Sequence, residues 1–502
     1  MNTLKLPRTA LFAAALAFSQ TSLIEAQDLG ELDPNLVKAF EAGKAAMADE
    51  NWEEALVAFE EATKFDQPPT FAELYFNIGE ALREREDYKN AIDNYRLAIS
   101  IENNYAQAHN GLGVCYREQT QYDVALSSFQ NAEQFDRRDP SIAANLGDIY
   151  INIFRQASEG LPYLDRAIEL DPENAEAYRN RGFGHLQLKE YEESIADLNK
   201  AAELDPKDYK IYELLAAAHQ IEEDYTESID AIGKAIQAYE PEDSGDPDAY
   251  ISGYLSRALQ RFTLAKEGDR SQQERDELYE LIVADTEFVL EEFPDRFPDA
   301  GTAQFRKGLA KRMQGLFAEA ITAFTDSLQI IPAGQTASYA GEAYLYRGIC
   351  WFYQGQTSLA RGDFKEAAAQ NFADPLPHLW IGFTQAKDGD YRRAIESYGE
   401  AAAKSPNFSL AYVNRGLAYM QLKDYEKAGD NFNRAIRAEP TEPSHYYKSG
   451  RAHEAQGRWQ EALAFYNLAL QRNSEYEDAR SGAARSLQAL GRSNLSEIQE
   501  NL

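Results

Sequence analysis

The chain has 502 residues and a formal net charge of −33, because 83 Asp and Glu outnumber 50 Lys and Arg. This excess repels phosphate backbones and anionic lipid surfaces, so it argues against nucleic-acid and membrane-surface binding and favours basic or neutral partners. Apolar residues make up 44 % of the chain, which is enough for a packed core and excludes a disordered acidic tail.

The first 26 residues have the layout of a secretory signal peptide. Lys5 and Arg8 give a positive start, Thr9 to Phe18 is a short apolar run, and a polar stretch ends at Ala26. The run is too short to span a bilayer comfortably, and no cysteine follows it to carry a lipid. We therefore expect cleavage after Ala26 and export to the periplasm or the extracellular space, with a bacterial envelope favoured. An uncleaved anchor is the alternative.

One spacing recurs through most of the remaining chain. A glycine is followed twelve residues later by an alanine and four residues after that by an aromatic residue, in eight places: Gly43, Ala55 and Phe59; Gly79, Ala91 and Tyr95; Gly113, Ala125 and Phe129; Gly308, Ala320 and Phe324; Gly348, Ala360 and Phe364; Gly382, Ala394 and Tyr398; Gly416, Ala428 and Phe432; Gly450, Ala462 and Tyr466. Glycine and alanine let two helices cross closely, and the ring lies one turn further along the same helix face.

This pattern resembles the tetratricopeptide repeat family, which is built from units of about 34 residues. The resemblance implies an all-α fold, a right-handed superhelical solenoid of antiparallel helix pairs. It gives an N-terminal array within residues 27–242, with units 36–71, 72–105, 106–139, 140–174, 175–208 and 209–242. It gives a C-terminal array at residues 301–476, with units 301–340, 341–374, 375–408, 409–442 and 443–476.

Some segments depart from the repeat. Residues 243–300 break the period and predict an irregular helical hairpin or a degenerate repeat, with a capping box of Ser271 and Glu274 at the start of its second helix. Unit 140–174 has one extra residue and carries Gly160 where alanine is usual. Residues 477–490 are expected to form a polar capping helix, and residues 491–502 a flexible tail.

No residue pattern points to catalysis, a metal or a cofactor. Cys115 and Cys350 stand in units more than 200 residues apart, so they predict buried, inert thiols and no disulfide. No two histidines have the spacing of a helical metal pair. Five of the six fall where the family packs an aromatic ring: His109, His185, His219, His378 and His453. We therefore predict a protein that is not an enzyme.

The resemblance also places partner segments on the concave face, lined by positions 2, 5, 6, 9, 12 and 13 of each first helix. In the N-terminal array the lining is polar and includes Asn77, Arg83, Asn110, Arg117, Asn145, Arg179 and Asn180. In the C-terminal array the lining is apolar and includes Phe305, Leu345, Tyr346, Ile349, Phe352, Leu379, Trp380 and Phe383. The asparagines can grip a peptide backbone or bridge neighbouring helices. The apolar lining is either a hydrophobic groove or packed shut.

Taken together, these patterns predict a non-catalytic scaffold that binds protein or peptide segments in the concave groove, outside the cytoplasm. The alternative is a self-assembling structural component of an envelope complex, and hence a homo-oligomer. A third possibility, an enzyme or enzyme subunit, has no segment left over to house a catalytic domain.

The signal-peptide assignment predicts that the native protein loses residues 1–26. The apolar run followed by the small residue Ala26 is a peptidase site, so the mature chain should begin at Gln27. N-terminal sequencing of the protein isolated from its source tests this. A cytoplasmic product that still begins at Met1 would contradict it.

Overall fold

The computed structural model describes residues 32–239, 247–370 and 373–491. Within these ranges the chain forms 25 α-helices and no strand. It divides into two compact units, the first ending at Ser256 and the second beginning at Arg257. The expected signal peptide, most of the acidic turn before Asp248 and nearly all of the expected tail lie outside the described residues.

The helices follow the predicted repeat. Those that lie in the first compact unit are α1 Pro34–Ala48, α2 Trp52–Thr63, α3 Ala72–Glu84, α4 Tyr88–Ile101, α5 Ala106–Glu118, α6 Tyr122–Phe135, α7 Pro140–Asp148, α8 Ala157–Leu170, α9 Ala175–Leu188, α10 Tyr191–Leu204, α11 Tyr209–Ile221 and α12 Tyr225–Ala238. Helix α13, Asp248–Lys266, contains the boundary.

The second compact unit continues the same arrangement. Its helices are α14 Gln272–Glu292, α15 Asp299–Met313, α16 Phe317–Gln329, α17 Ala340–Tyr353, α18 Thr357–Ala369, α19 Leu376–Lys387, α20 Tyr391–Lys404, α21 Ser409–Gln421, α22 Tyr425–Ala438, α23 Pro443–Ala455, α24 Trp459–Arg472 and α25 Glu477–Ala489. The all-α fold of packed helix pairs is therefore confirmed.

The glycine, alanine and aromatic residue of the repeat meet inside each unit. A Cβ atom added to the repeat glycine would lie within 3.0 Å of the aromatic ring of the same unit. Examples are a Cβ atom at Gly79, against Tyr95, and one at Gly416, against Phe432. The alanine that precedes the ring, such as Ala428, has no exposed surface. The first helix therefore lies directly on the ring carried by the second, and no side chain larger than hydrogen fits between them.

The turn between the two helices of a unit needs a left-handed residue at the same place each time. In the N-terminal array this residue is not glycine, and examples are Glu86, Thr120 and Lys189, with φ values of 62°, 61° and 65°. In four C-terminal units it is glycine: Gly315, Gly355, Gly389 and Gly457. Glycine adopts this conformation without the steric penalty that a Cβ atom brings.

The extra residue of unit 140–174 is absorbed as a π-helical turn. Helix α7 continues through Ile149–Ile153, where the Ile149 carbonyl accepts the N–H of Phe154 at 3.1 Å. This turn drives Ile151 into the core, where it has no exposed surface. A Cβ atom at Gly160 would lie 2.6 Å from Cγ1 of Ile151, which explains why glycine replaces alanine there.

Two long helices, α13 and α14, occupy most of the segment where the sequence breaks the period. The capping box is present, because Ser271 and Glu274 each accept the backbone N–H of the other. The buried carboxylate of Asp285 on α14 accepts hydrogen bonds from Arg257 at 2.6 and 3.1 Å and from Arg261. These charge-assisted bonds fix the pairing of the two helices.

The glycine–aromatic contact predicts opposite effects for two glycine-to-alanine changes. Gly382→Ala should destabilise the protein by about 1–3 kcal/mol, because the new methyl group overlaps the Tyr398 ring. Gly362→Ala is the matched control. It lies inside helix α18 with nothing within 4 Å of an added Cβ, so it should stabilise by about 0.5–1 kcal/mol. Urea unfolding followed by circular dichroism measures both; equal midpoints would contradict the assigned contact.

Candidate functional site

The three predicted arginines of the N-terminal array are held by carboxylates of the chain itself. Arg83 contacts Glu80 at 2.7 Å and Glu84 at 2.8 Å, and Arg117 contacts Asp148 at 2.9 Å. Burial works against the charge on Arg83, but the neighbouring carboxylates prevail and raise its pKa. Arg179 likewise pairs with Asp208 and with Glu176. These guanidinium groups therefore balance negative charge within the array.

The four predicted asparagines also use their amides internally. Asn110 on α5 accepts a hydrogen bond from Asn145 on α7 at 3.0 Å, and Asn180 on α9 donates to Asp148 at 3.4 Å. Asn180 is buried, and Asn77 donates to the Glu73 carbonyl of its own helix. Three of these asparagines thus link successive first helices. A peptide that bound them would first have to replace these hydrogen bonds.

The apolar residues predicted in the C-terminal array fall into two groups. Leu345 and Leu379 are each 1 % exposed, and Phe305 and Ile349 are also buried, so all four belong to the core. Tyr346, Phe352, Trp380 and Phe383 are half-buried. These positions of the C-terminal array are therefore of two kinds: the four buried residues fill the core, and the four half-buried residues form a rim that solvent partly reaches. Neither an open groove nor a fully closed one describes the whole array.

Two of these half-buried rings, Phe352 and Phe383, and the buried Phe364 cluster around Trp380. Its ring centroid lies 5.3 Å from that of Phe352, 5.2 Å from Phe383 and 5.7 Å from Phe364. Phe352 belongs to helix α17 and Trp380 to α19, so the cluster joins first helices of adjacent units. Trp380 meets Phe352 and Phe383 edge to face and stacks on Phe364, and such pairs stabilise beyond the area they bury.

Exposed apolar side chains also stand at positions 2, 5, 6, 9, 12 and 13 of the first helices in this array, which we call the groove positions. They are Met313, Tyr353, Leu410 and Leu417, with 37 %, 61 %, 43 % and 41 % of their surface exposed. Among the described residues of the N-terminal array, only Ile221 is a large exposed apolar residue at such a position. We call the following set the apolar strip: Met313, Phe352, Tyr353, Trp380, Phe383, Leu410 and Leu417.

The sequence did not single out Met313, Leu410 and Leu417. Met313 stands at groove position 13 of unit 301–340, and Leu410 and Leu417 stand at positions 2 and 9 of unit 409–442. Applying all six groove positions to every unit would have identified them. Equivalent positions nevertheless differ in exposure. Ile349 and Leu417 both stand at position 9, but Ile349 is buried in the cluster that includes Trp380. Trp380 stands at position 6 of the unit that follows Ile349, and the same position of the unit that follows Leu417 holds Lys448.

Within the described residues, neither cysteine is activated as a nucleophile and no group of side chains could hold a metal ion. Burial raises the pKa of Cys115 and of Cys350 to about 12, so both remain thiols at neutral pH and are poor nucleophiles. No three His, Cys, Asp or Glu residues are grouped there so that they could hold a metal ion. No helix within the described ranges combines the length and apolarity that crossing a bilayer requires.

Family models for the tetratricopeptide repeat match both compact units. They cover residues 175–208 in the first unit and residues 288–335, 384–443 and 430–478 in the second. A further TPR repeat model matches residues 79–119. Residues 175–208 coincide with the pair α9 and α10, and each of the other matched segments contains at least two complete helices.

Similar proteins match at low identity. Photosystem I assembly protein Ycf3 of Prochlorococcus marinus is 29 % identical over 82 residues, which are 16 % of this chain and 47 % of that protein. The chain thus spans about half the length of this curated relative.

Solved structures also match. YrrB, a TPR protein with an unusual peptide-binding site, is 23 % identical over 36 % of this chain and 92 % of its own, with a TM-score of 0.32. The Cut9 complex with Hcn1 from the APC/C is 14 % identical over 92 % of this chain and 98 % of its own, with a TM-score of 0.38. Yeast Tom70 is 12 % identical over 91 % of this chain and 96 % of its own, with a TM-score of 0.36.

The geometry of the apolar strip predicts different structural roles for two of its members. Trp380→Ala should destabilise the protein by about 3 kcal/mol, because it leaves a cavity among the surrounding rings. Tyr353→Ala removes a mostly exposed side chain and should cost less than about 1 kcal/mol. Denaturant unfolding of the two variants tests this, and an equal loss of stability would mean that Tyr353 packs as tightly as Trp380.

Proposed function

Since the chain belongs to the tetratricopeptide repeat family, whose members generally mediate protein–protein interactions, we propose that it is a non-catalytic scaffold that holds partner segments on the apolar strip. Stacked helical repeats present long concave surfaces to their partners. The strip lies at groove positions of the C-terminal array, so a segment bound there would cross several units.

One observation carries this proposal. Four large apolar side chains stay exposed at groove positions of the C-terminal array, and one of them, Tyr353, contacts the ring of Trp380. Leaving such side chains in water forgoes about 1.5–3 kcal/mol for each one that could be fully buried. Soluble proteins seldom expose apolar residues in a group unless the group binds something, and tryptophan and tyrosine are frequent anchors of interfaces.

The N-terminal array offers less to a partner. Its arginines pair with carboxylates, and Asn145 and Asn180 hydrogen-bond to neighbouring helices. Displacing such a bond without replacing it costs about 1–3 kcal/mol for a buried group. The proposal therefore assigns the main contact to the C-terminal array and gives the N-terminal polar row the role of holding its own helices in register.

We further propose that the scaffold acts outside the cytoplasm. The support is in the sequence alone: the positive start at Lys5 and Arg8, the short apolar run and the small residue Ala26. Binding to partner segments does not depend on this location, so the two proposals are tested separately.

The binding proposal predicts that exposed strip residues control peptide capture. Peptides selected from a displayed random library on the mature chain should bind the double variant Tyr353→Ser, Leu417→Ser at least tenfold more weakly, since anchor residues of an interface each contribute about 2 kcal/mol. The matched control is Leu359→Ser, Leu422→Ser, which removes two similarly exposed leucines outside the groove positions. Fluorescence anisotropy with the selected peptides measures the affinities.

Two results would contradict the proposal. Equal losses in the strip variant and the control would show that capture depends on general surface hydrophobicity. Concentration-dependent association of the mature chain in sedimentation velocity, abolished by the strip variant alone, would instead identify the strip as a contact between copies and support the self-assembling alternative.

A further inference from the structure

The groove positions of the two arrays carry opposite charge. Those of the six N-terminal units hold more carboxylates than cations: Glu41, Glu73, Glu80, Glu84, Glu118, Asp148, Glu176 and Glu213 against Lys44, Arg83, Arg117, Arg179 and Lys210. Those of the five C-terminal units hold more cations: Arg306, Arg312, Lys387, Lys448 and Arg451 against Glu342 and Glu454. The C-terminal row is thus locally basic in a chain whose net charge is −33.

Three of these cations are not neutralised by the chain. Within the described residues, no carboxylate oxygen lies within 4.0 Å of Arg312, Lys387 or Lys448. In the N-terminal array, four of the five cations at these positions contact a carboxylate, namely Lys44, Arg83, Arg117 and Arg179. The basic charge of the C-terminal row is therefore available to a second molecule.

Two of these cations lie against aromatic rings of the C-terminal array, Lys387 against a ring of the apolar strip and Arg312 against Tyr346. The Lys387 ammonium sits 4.5 Å from the centroid of Phe352, and Arg312 lies over the Tyr346 ring at 4.8 Å. Arg312 also places Nε in the interior, where it finds no hydrogen-bond acceptor among the described residues. Lys448 is half-buried and donates only a 3.4 Å bond to the Ser444 carbonyl. Charge and apolar surface are interleaved on one face.

The acidic residues of the same row do not cancel this charge. The Glu454 carboxylate is engaged by Arg485 at 2.7 and 3.0 Å and accepts a hydrogen bond from the Tyr466 hydroxyl. Glu342 and Asp374 both act on Tyr346, beside Arg312, and Glu442 acts on Lys448. Among the described residues none of these carboxylates comes within 4.0 Å of Arg312, Lys387 or Lys448, so they weaken the local positive charge without pairing with it.

We propose that the segment held on the apolar strip is acidic, with apolar side chains separated by Asp or Glu. This inference rests on the proposed function and names the chemistry of its partner. The apolar side chains of the segment pack on Tyr353, Leu410 and Leu417, and its carboxylates pair with Arg312, Lys387 and Lys448. Complementary charge both steers the encounter and rejects basic segments, although the chain as a whole is acidic.

The proposal also gives the net charge a role in selection. An acidic segment approaches a strongly negative protein, so long-range repulsion opposes it everywhere except at the basic row. At ionic strengths that screen charges beyond about 10 Å, the local cations decide the interaction. Binding should therefore be confined to the strip, because the rest of the surface repels the same segment.

The test uses three short fluorescein-labelled peptides in which Leu and Phe alternate with Glu, with Gln or with Lys. Their affinities for the mature chain are measured by fluorescence anisotropy at low and high salt. The Glu peptide should bind about tenfold more tightly than the Gln peptide at about 0.1 M salt, which screens the long-range repulsion but leaves partly exposed ion pairs in place, and the difference should shrink at about 1 M salt. The Lys peptide should bind most weakly.

Variants assign the preference to the named cations. Arg312→Gln, Lys387→Gln, Lys448→Gln should bring the Glu and Gln peptides to within twofold of each other. The control Lys365→Gln, Arg392→Gln, Lys404→Gln removes the same charge from exposed positions of second helices and should keep most of the preference. The double variant Lys387→Gln, Lys448→Gln should show an intermediate loss, and it replaces the triple variant if that one unfolds.

The outcomes separate this inference from the proposed function. Equal binding of the Glu and Gln peptides, or tighter binding of the Lys peptide, overturns the acidic preference while leaving the strip intact, provided that Tyr353→Ser, Leu417→Ser still abolishes binding. Binding that ignores the strip variant overturns the proposed function itself. An equal loss of preference in the triple variant and its control would assign the effect to overall charge and also overturn the inference.

Discussion

The close approach of a glycine to an aromatic ring is the contact on which the rest of the structure depends. Each such unit brings its two helices together at a place where no Cβ atom fits, as between Gly382 and Tyr398. The buried alanine one turn before the ring keeps the same crossing tight from the other helix. Because the contact recurs at one spacing, the units share one crossing geometry, and their first helices are brought side by side.

Unit 140–174 shows how close helix packing is kept where the repeat has an extra residue. One extra residue in unit 140–174 would shift half of a first helix out of register, and the π-helical turn at Ile149–Ile153 absorbs it locally. The cost is transferred to the partner helix, where Gly160 makes room for Ile151. This pairing shows that the two departures seen in the sequence of this unit have a single cause.

The sequence predicts the parts of the fold that depend on residues within a unit. The glycine, alanine and ring spacing, the capping box at Ser271 and the thiol burial of Cys115 follow from it directly. The exposure of a groove side chain depends instead on the next unit. Ile349 and Leu417 occupy equivalent positions, but Ile349 is buried in a cluster that includes Trp380, whereas the next unit carries Lys448 in place of that ring beside Leu417's unit. The sequence therefore indicated the groove and could not say which of its residues remain free.

The groove positions have different structural roles in the two arrays. In the N-terminal array, Arg117, Asp148 and Asn145 satisfy one another, so the row consolidates its own helices. In the C-terminal array the deep positions hold apolar residues that need no polar partner. Stability there comes from the buried Leu345 and Leu379 and from the rings packed around Trp380, so the more exposed Leu410 and Leu417 are not needed to complete the core. Under the proposed function, this separation would let one repeat serve both as framework and as binding surface.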